Sequence, residues 1–368
     1  MARALARARR ASGRSFPNPP VGALVLRGDR VLGAGETRPA GGPHAEIVAL
    51  ERARARHGER ALRGATLAVT LEPCCHQGRT GPCTDAIIAA GIRHVWVGQR
   101  DPNPRVAGAG LRRLRRAGLS VRSGVRETEC REQHRGFLSV QRRGRPWVSL
   151  KLAATLDGRI ATAKGESRWI TGPAARAAVH RLRDAADAVM VGSGTAQSDD
   201  PELSVRRDGR RVRMPIRVLV DAGLRVSGAA RLFRDEDAAC TWLLTRRGHP
   251  SRRLARRTAR GARTLLVPAR AGHLDLGRAL AQLAREGLSH VFVEGGGGLA
   301  AALLRARLVD ELHWFLAPSL LGADARPALG ALEIRGLAQR LALDVREVRR
   351  LGPDLYVRAL LSSPGGPG

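Results

Sequence analysis

Three candidate metal donors far apart in the chain, His44, Cys74 and Cys83, constrain its fold more than any other feature. For one ion to collect them, the end of a strand and the starts of two helices must converge. An imidazole and two thiolates suit Zn²⁺ and leave its fourth tetrahedral position open to water, whose pKa the metal lowers from about 15.7 to about 7. In His44-Ala45-Glu46, Glu46 then supplies a carboxylate outside the ligand set, suited to acid/base work. Residues two apart do not share a helix face, so His44 and Glu46 reach one ion only where a helix begins. Gly41-Gly42-Pro43 provides such a start, and Pro82 provides another for Cys83, where the positive end of the helix dipole favours a thiolate.

This is the ligand set and proton-transfer group of a zinc deaminase, with one departure in spacing. The common nucleobase-deaminase pattern P-C-x-x-C would place its second cysteine at Gln77. Cys75 adjoins Cys74, and neighbouring residues rarely bend onto one tetrahedral ion, so Cys83 is the expected second thiolate. The loop between then carries His76 and Arg79 beside the metal, as solvated polar groups or as a hold for a phosphorylated substrate.

The 368 residues suggest two domains. The first part alternates strands (Val21–Leu26, Arg30–Gly35, Ala65–Leu71, His94–Val97) with helices (Ala45–His57, Cys83–Ala90, near Gly110–Ala117, Arg126–Arg142), the pattern of an open α/β sheet. The helix at the extreme N-terminus reads as short. A polar segment ending Gly144-Arg145-Pro146 separates this unit from a second α/β region, giving expected domains 1–145 and 146–368. Strands are expected at Trp147–Ala153, Ala188–Gly192, Ile216–Asp221, Thr241–Thr245, Thr264–Val267, His290–Glu294, Glu311–Leu316 and Asp354–Leu361. Gly295–Gly298 follows one of them and leads into an Ala/Leu-rich stretch, where glycines let backbone approach a pyrophosphate at a helix N-terminus.

The formal charge is +31, yet 62 of 64 basic residues are arginine and are spread over the whole length, while only 3% of residues are aromatic. That is a compositionally biased, solvated surface rather than a nucleic-acid face, which would also offer stacking rings. Five cysteines, three of them crowded at 74, 75 and 83, indicate a metal site in a reducing compartment, with Cys130 and Cys240 as inert packing residues. No signal-peptide core follows the basic start and no apolar run spans a bilayer, so a cytoplasmic enzyme without membrane partners is expected. Oligomeric state is left open, a homo-oligomer included.

Two other readings compete on residues alone. A nucleic-acid deaminase suits the charge but leaves about 220 residues after Pro146 without a role. A closed structural zinc module would not need Glu46.

Asn18-Pro19-Pro20-Val21-Gly22, His44-Ala45-Glu46, the run Leu71–Cys83 and Asp101-Pro102-Asn103-Pro104 resemble the deaminase half of the bifunctional riboflavin-biosynthesis deaminase/reductases. Ser149-Leu150-Lys151, Thr155–Ala161, Trp169-Ile170-Thr171, Val191–Thr195, Asp199-Asp200-Pro201 and Val293–Gly296 are similar to the reductase half, in the same order. The resemblance implies a cytidine-deaminase-like α/β/α sheet followed by a dihydrofolate-reductase-like α/β domain. It implies two reactions on a small phosphorylated pyrimidine: zinc-dependent hydrolysis of the 2-amino group of 2,5-diamino-6-(5-phosphoribosylamino)pyrimidin-4-one, then NADPH-dependent reduction of the ribosylamino group to ribitylamino. Carried over by position, His44, Cys74 and Cys83 hold zinc, Glu46 transfers protons, and Asn18, His76, Arg79 and Asn103 hold the deaminase substrate. Ala153, Trp169, Thr195, Asp199 and Gly296, Gly297, Gly298, Leu299, Ala300, Ala301 and Ala302 contact NADPH. Ser167, Arg183, Leu203, Arg206 and Glu294 contact the reductase substrate, the two arginines as phosphate clamps. Thr37 stands where the family often carries His, which puts that substrate contact in doubt.

Overall fold

The computed structural model describes residues 1–77, 81–103 and 106–361. The chain divides into two compact units, one of Met1–Pro146 with Ala284–Ser289, the other of Trp147–Leu283 and the chain from His290 onward. Sequence patterning carries no sign that Ala284–Ser289 belongs with the first unit. Close packing explains it: a Cβ added at Gly287, whose φ is +97°, would meet Pro17 at 2.8 Å.

The first unit runs α1 (Ala2–Ala11), β1 (Gly22–Arg27), β2 (Arg30–Glu36), α2 (Ala45–His57), β3 (Thr66–Leu71), α3 (Cys83–Ala89), β4 (His94–Gln99), α4 (Ala109–Arg116), β5 (Ser120–Ser123), α5 (Glu127–Gln133) and α6 (Arg135–Arg143). Its sheet has the order β2-β1-β3-β4-β5, with β1 antiparallel to both neighbours and β3, β4 and β5 parallel. Alternating Ala23 and Val25, Leu67 and Val69, and Val95 and Val97 face a core shared with Ala45, Ala49 and Ala53 of α2. Gly33 and Gly35 of β2 lie so close beneath α2 that a Cβ would collide with the backbone of Ala49 and Ala45. That approach seats the start of α2, and with it His44 and Glu46, directly on the sheet.

The helix expected over Arg126–Arg142 is two helices. Arg126 stands in the left-handed region at φ 55°, and His134 breaks the run at φ −98°, ψ 11°. The His134 ring is buried, with Nε2 3.1 Å from the Thr70 hydroxyl, so a long-range contact overrides local helix propensity.

In the second unit the elements that bear on function are β6 (Trp147–Thr155), α7 (Pro173–Ala185), β7 (Ala188–Gly192), α8 (Ser193–Asp199), β8 (Ile216–Val220), β9 (Thr241–Thr245), β10 (Arg263–Leu266), β11 (His290–Val293), α9 (Gly297–Arg305), β12 (Glu311–Ala317), β13 (Leu343–Leu351) and β14 (Asp354–Leu361). They form a sheet ordered β10-β9-β8-β7-β11-β6-β12-β14-β13, parallel from β10 to β12 and antiparallel across the last three strands. The chain proceeds outward from β7 through β8, β9 and β10, then returns to insert β11 between β7 and β6. In open parallel sheets such a reversal opens a crevice at the carboxyl ends of the strands, where ligands bind.

The arginine bias enters the core as well as the surface. Wholly buried Arg217 bonds both Asp235 carboxylate oxygens at 2.6 and 2.9 Å, the Thr241 hydroxyl at 3.0 Å and the Leu232 and Asp237 carbonyls at 3.1 and 2.8 Å. A fully paired guanidinium is the form in which a charge tolerates burial. Among the described residues, no helix is long and apolar enough to cross a membrane.

Candidate active sites

His44 caps α2 from extended backbone (φ −69°, ψ 162°), and Glu46, one residue into the helix proper, is buried. Cys74 follows shortly after β3 ends, and Cys83 opens α3 behind Pro82. The three donor atoms lie within 4.8 Å of one another, with His44 Nδ1 3.3 Å from Cys83 Sγ and 3.6 Å from Cys74 Sγ. A tetrahedral Zn²⁺ with Zn–N near 2.1 Å and Zn–S near 2.3 Å needs N···S separations of about 3.6 Å, so the donor set fits one zinc ion. Among the described residues no other such donor cluster occurs, and Cys75 is outside it.

The electrostatics of the cluster favour a cation. The Cys83 N–H donates to Cys74 Sγ at 3.4 Å. The hydrogen bond from the Cys83 thiol, assisted by one from His44, brings Cys74 down to about 4, while the same bond and burial push Cys83 well above its ordinary value. Hydrogen bonding to Cys74 raises His44. Burial, then the neighbouring Cys74 charge, pushes Glu46 up to about 7, where a carboxyl can both take and return a proton near neutral pH.

Around the cluster, half-buried Asp101 is pushed up to about 6, chiefly by burial, and its charge interacts with those of Glu72, His76 and Cys74. Asn103 lies half-buried in the same turn, and His76 is exposed. Asn18 is half-buried in the turn before β1, where its carbonyl accepts the Ser15 hydroxyl at 3.0 Å. Arg79, like Pro104 of the Asp101–Pro104 motif, lies outside the described residues. Thr37 is turned into the fold, its hydroxyl accepting the Val21 N–H at 3.0 Å.

In the second unit the ends of β7 and β11 carry the glycine-rich turns. Gly296 donates its N–H to the Thr195 hydroxyl and caps α9, whose first-turn amides lack partners within the helix. Gly298 is exposed, with nothing within 4 Å of an added Cβ, whereas a Cβ at Gly297 would meet the Pro327 and Ala328 carbonyls at 3.1 and 3.2 Å. Ala300 and Ala301 face the core, so a part in cofactor binding would fall to the backbone of this turn; Leu299 packs toward Gly192 and Gly295, and Ala302 is half-buried. Ala153 is half-buried in β6. Trp169 is 71% exposed, its ring 4.4 Å from the Arg176 guanidinium. The Asp199 carbonyl accepts Arg168 Nη2 at 3.2 Å.

The substrate candidates of this unit are partly assembled. Arg183 forms a two-pronged ion pair with Glu294, with Nη2 3.0 Å from Oε2, and its Nη1 donates to the Ser204 carbonyl at 2.8 Å. Burial is the largest single influence on Glu294 and opposes ionisation, but Arg183 and Lys151 together hold its carboxyl below the usual range. Arg206 pairs with Glu202 at 2.6 Å, and its N–H donates to His180 Nδ1 at 3.1 Å. Ser167 is exposed, while Leu203 is buried in the core at φ 61°, so its side chain is not available to a ligand. Lys151, quoted within a sequence motif but given no role there, stands out in the structure: burial lowers its pKa, and Glu294, Arg183 and Asp199 are its charged neighbours. Its signal in the sequence was compositional, as one of only two lysines in an arginine-rich chain.

Residues 1–99 match the cytidine and deoxycytidylate deaminase zinc-binding region, and residues 146–357 match the RibD C-terminal domain. The riboflavin biosynthesis protein RibD of Escherichia coli is 42% identical over 366 residues, covering 96% of either chain. RibD of Aquifex aeolicus is 38% identical, covering 96% of this chain and 95% of the relative. Among solved structures, Acinetobacter baumannii RibD aligns with a TM-score of 0.86 at 34% identity over 98% of both chains. The diaminohydroxyphosphoribosylaminopyrimidine deaminase/5-amino-6-(5-phosphoribosylamino)uracil reductase of Thermotoga maritima aligns at 0.84 and 33%, over 98% of this chain and 97% of that one. With a zinc-binding deaminase region ahead of a reductase domain, in the order and over the length of these relatives, the chain belongs to the RibD family of bifunctional riboflavin-biosynthesis enzymes.

Proposed function

We propose that the first unit deaminates the diaminopyrimidine ribotide at the His44, Cys74 and Cys83 site, and that the second reduces the deaminated ribotide with NADPH in the β7/β11 crevice. The observation that carries this reading is the placement of a buried carboxyl, Glu46, beside a zinc-compatible donor set. Zinc supplies the Lewis acidity that makes water a nucleophile near neutral pH. Glu46 accepts the proton that water releases as its oxygen bonds the amine-bearing ring carbon, then returns a proton to the nitrogen that leaves as ammonia. Asn18, His76, Arg79 and Asn103 hold the pyrimidine and its phosphate.

In the second unit NADPH supplies the reducing equivalents. Thr195, Trp169, Asp199, Ala153 and the Gly296–Ala302 turn hold the dinucleotide, whose pyrophosphate suits the N-terminus of α9. Ser167, the Leu203 backbone, Arg183, Arg206 and Glu294 hold the ribose phosphate. Lys151, lowered by burial and set near Glu294, is the group suited to deliver a proton to the ribosyl oxygen. The reaction partner is a small phosphorylated pyrimidine rather than nucleic acid or membrane, and the compartment is the cytoplasm. Purified protein should release ammonia from the diaminopyrimidine ribotide and then oxidise NADPH. Ammonia release without subsequent NADPH oxidation would remove the second half of the proposal.

A further inference from the structure

We infer that Glu72 is a positioning residue for the deaminase site, holding the Asp101–Asn103 turn against the end of the strand that delivers Cys74. Glu72 directly follows β3 and is buried. Its Oε2 accepts the Asp101 N–H at 3.2 Å and the Gly108 N–H at 3.0 Å, and its Oε1 accepts the Leu111 N–H at 3.1 Å. Gly108 caps α4 and Leu111 lies in its first turn, where amides lack partners within the helix. The Glu72 N–H in turn donates to the carbonyl of Gln99, the last residue of β4, at 2.9 Å. One residue therefore joins the ends of two adjacent strands, the turn after β4 and the start of α4.

From there the constraint passes to the substrate side. Asp101 Oδ1 accepts the Asn103 N–H at 2.8 Å, so fixing Asp101 fixes Asn103. The junction has no slack, because a Cβ at Gly110 would collide with the Pro73 carbonyl beside it. In a chain so rich in arginine, the hydrogen bonds described for Glu72 are to backbone amides. Three N–H groups converging on one side chain require an acceptor with two oxygens and no donor, which a carboxylate is and a carboxamide is not. Glu72 shapes backbone, and through it the placement of Asn103.

The inference rests on the proposed contact between Asn103 and the deaminase substrate, and a double-mutant cycle in the full-length zinc-loaded protein separates the two. Glu72→Gln is expected to raise the KM for the diaminopyrimidine ribotide about tenfold, with kcat within about threefold. Zinc content and NADPH oxidation on the deaminated ribotide should stay at wild-type values. Asn103→Ala should raise KM too, and the double variant should match Asn103→Ala within about twofold, because both changes remove the same contact. Amide exchange at Asp101 and Gly108 should quicken in Glu72→Gln, a readout that needs no substrate.

A wild-type KM for Glu72→Gln, loss of its zinc, unchanged amide exchange, or multiplying effects in the double variant would each overturn the positioning role. A wild-type KM for Asn103→Ala would instead refute the Asn103 contact and with it this route of action.

Discussion

The Gly296 N–H donates to the Thr195 hydroxyl at 2.9 Å, tying the cap of α9 to the first turn of α8, segments a hundred residues apart that follow the adjacent parallel strands β11 and β7. The bond fixes the start of α9 against α8, and Gly298 is left exposed at that start. Bulk there should obstruct a dinucleotide. Gly298→Val is expected to weaken NADPH binding about tenfold or more, about 1.4 kcal/mol, with little change in melting temperature. Gly297→Val should chiefly destabilise the second unit by pushing on Pro327 and Ala328. Titration of both variants with NADPH checks the distinction, and wild-type affinity in Gly298→Val would take this turn out of the site.

Metal content follows from the donor geometry. Purified protein should carry close to one zinc per chain, Cys83→Ala should lose it, and Cys75→Ser should retain it. Elemental analysis showing the opposite order of loss would move the second thiolate to Cys75.

Glu46 allows the two activities to be separated in one variant. Glu46→Gln should keep zinc and lose roughly two to four powers of ten in deamination, the usual scale of acid/base catalysis. The variant should still oxidise NADPH when given the deaminated ribotide. Preserved deamination would sink the role of Glu46, and loss of both activities in a folded, zinc-replete protein would sink the assignment of two sites.

His134 should make the first unit acid-sensitive. Burial lowers its pKa from the ordinary 6.5 to about 4. Above pH 6.5 the ring is neutral whether the chain is folded or not, and its full contribution to stability is present. As pH falls from there toward 4 the unfolded chain takes up a proton that the folded one refuses, which costs roughly 3 kcal/mol. His134→Gln, which keeps a partner for Thr70 but cannot titrate, should flatten that slope. Denaturant unfolding at pH 7.5 and 4.5 measures it, and equal slopes in the two proteins would count against the assignment.

The zinc donors were legible in the sequence because each sits at a local boundary, a glycine- and proline-marked helix start or a strand end, and local signals survive in linear order. Most strands of the two large sheets were legible for a similar reason, their runs of Val, Leu and Ile, whereas the short, largely exposed β5 carries no such run. By contrast, α7 buries only Ala175 and Ala178, so an Ala- and Arg-rich segment carries no stripe large enough to reveal it. β13 is an edge strand exposed along most of its length, with no buried face to impose alternation. Lys151 and Glu72 were opaque for a third reason: the groups that give them meaning are Glu294 and Arg183 for one, and Asp101, Gly108 and Leu111 for the other. Those neighbours are created by topology.

The extended backbone of His44 at the head of α2 has an evolutionary corollary. An α-helix turns through about 100° per residue, so the register at which it begins decides which side chains share a direction. Insertions and deletions within the exposed Arg38–Ala40 stretch would only lengthen or shorten a surface path. A single codon gained or lost between His44 and Glu46 would swing the ligand away from the base even though both residues remained in the chain. Selection on this stretch should therefore act on reading distance as strictly as on residue identity.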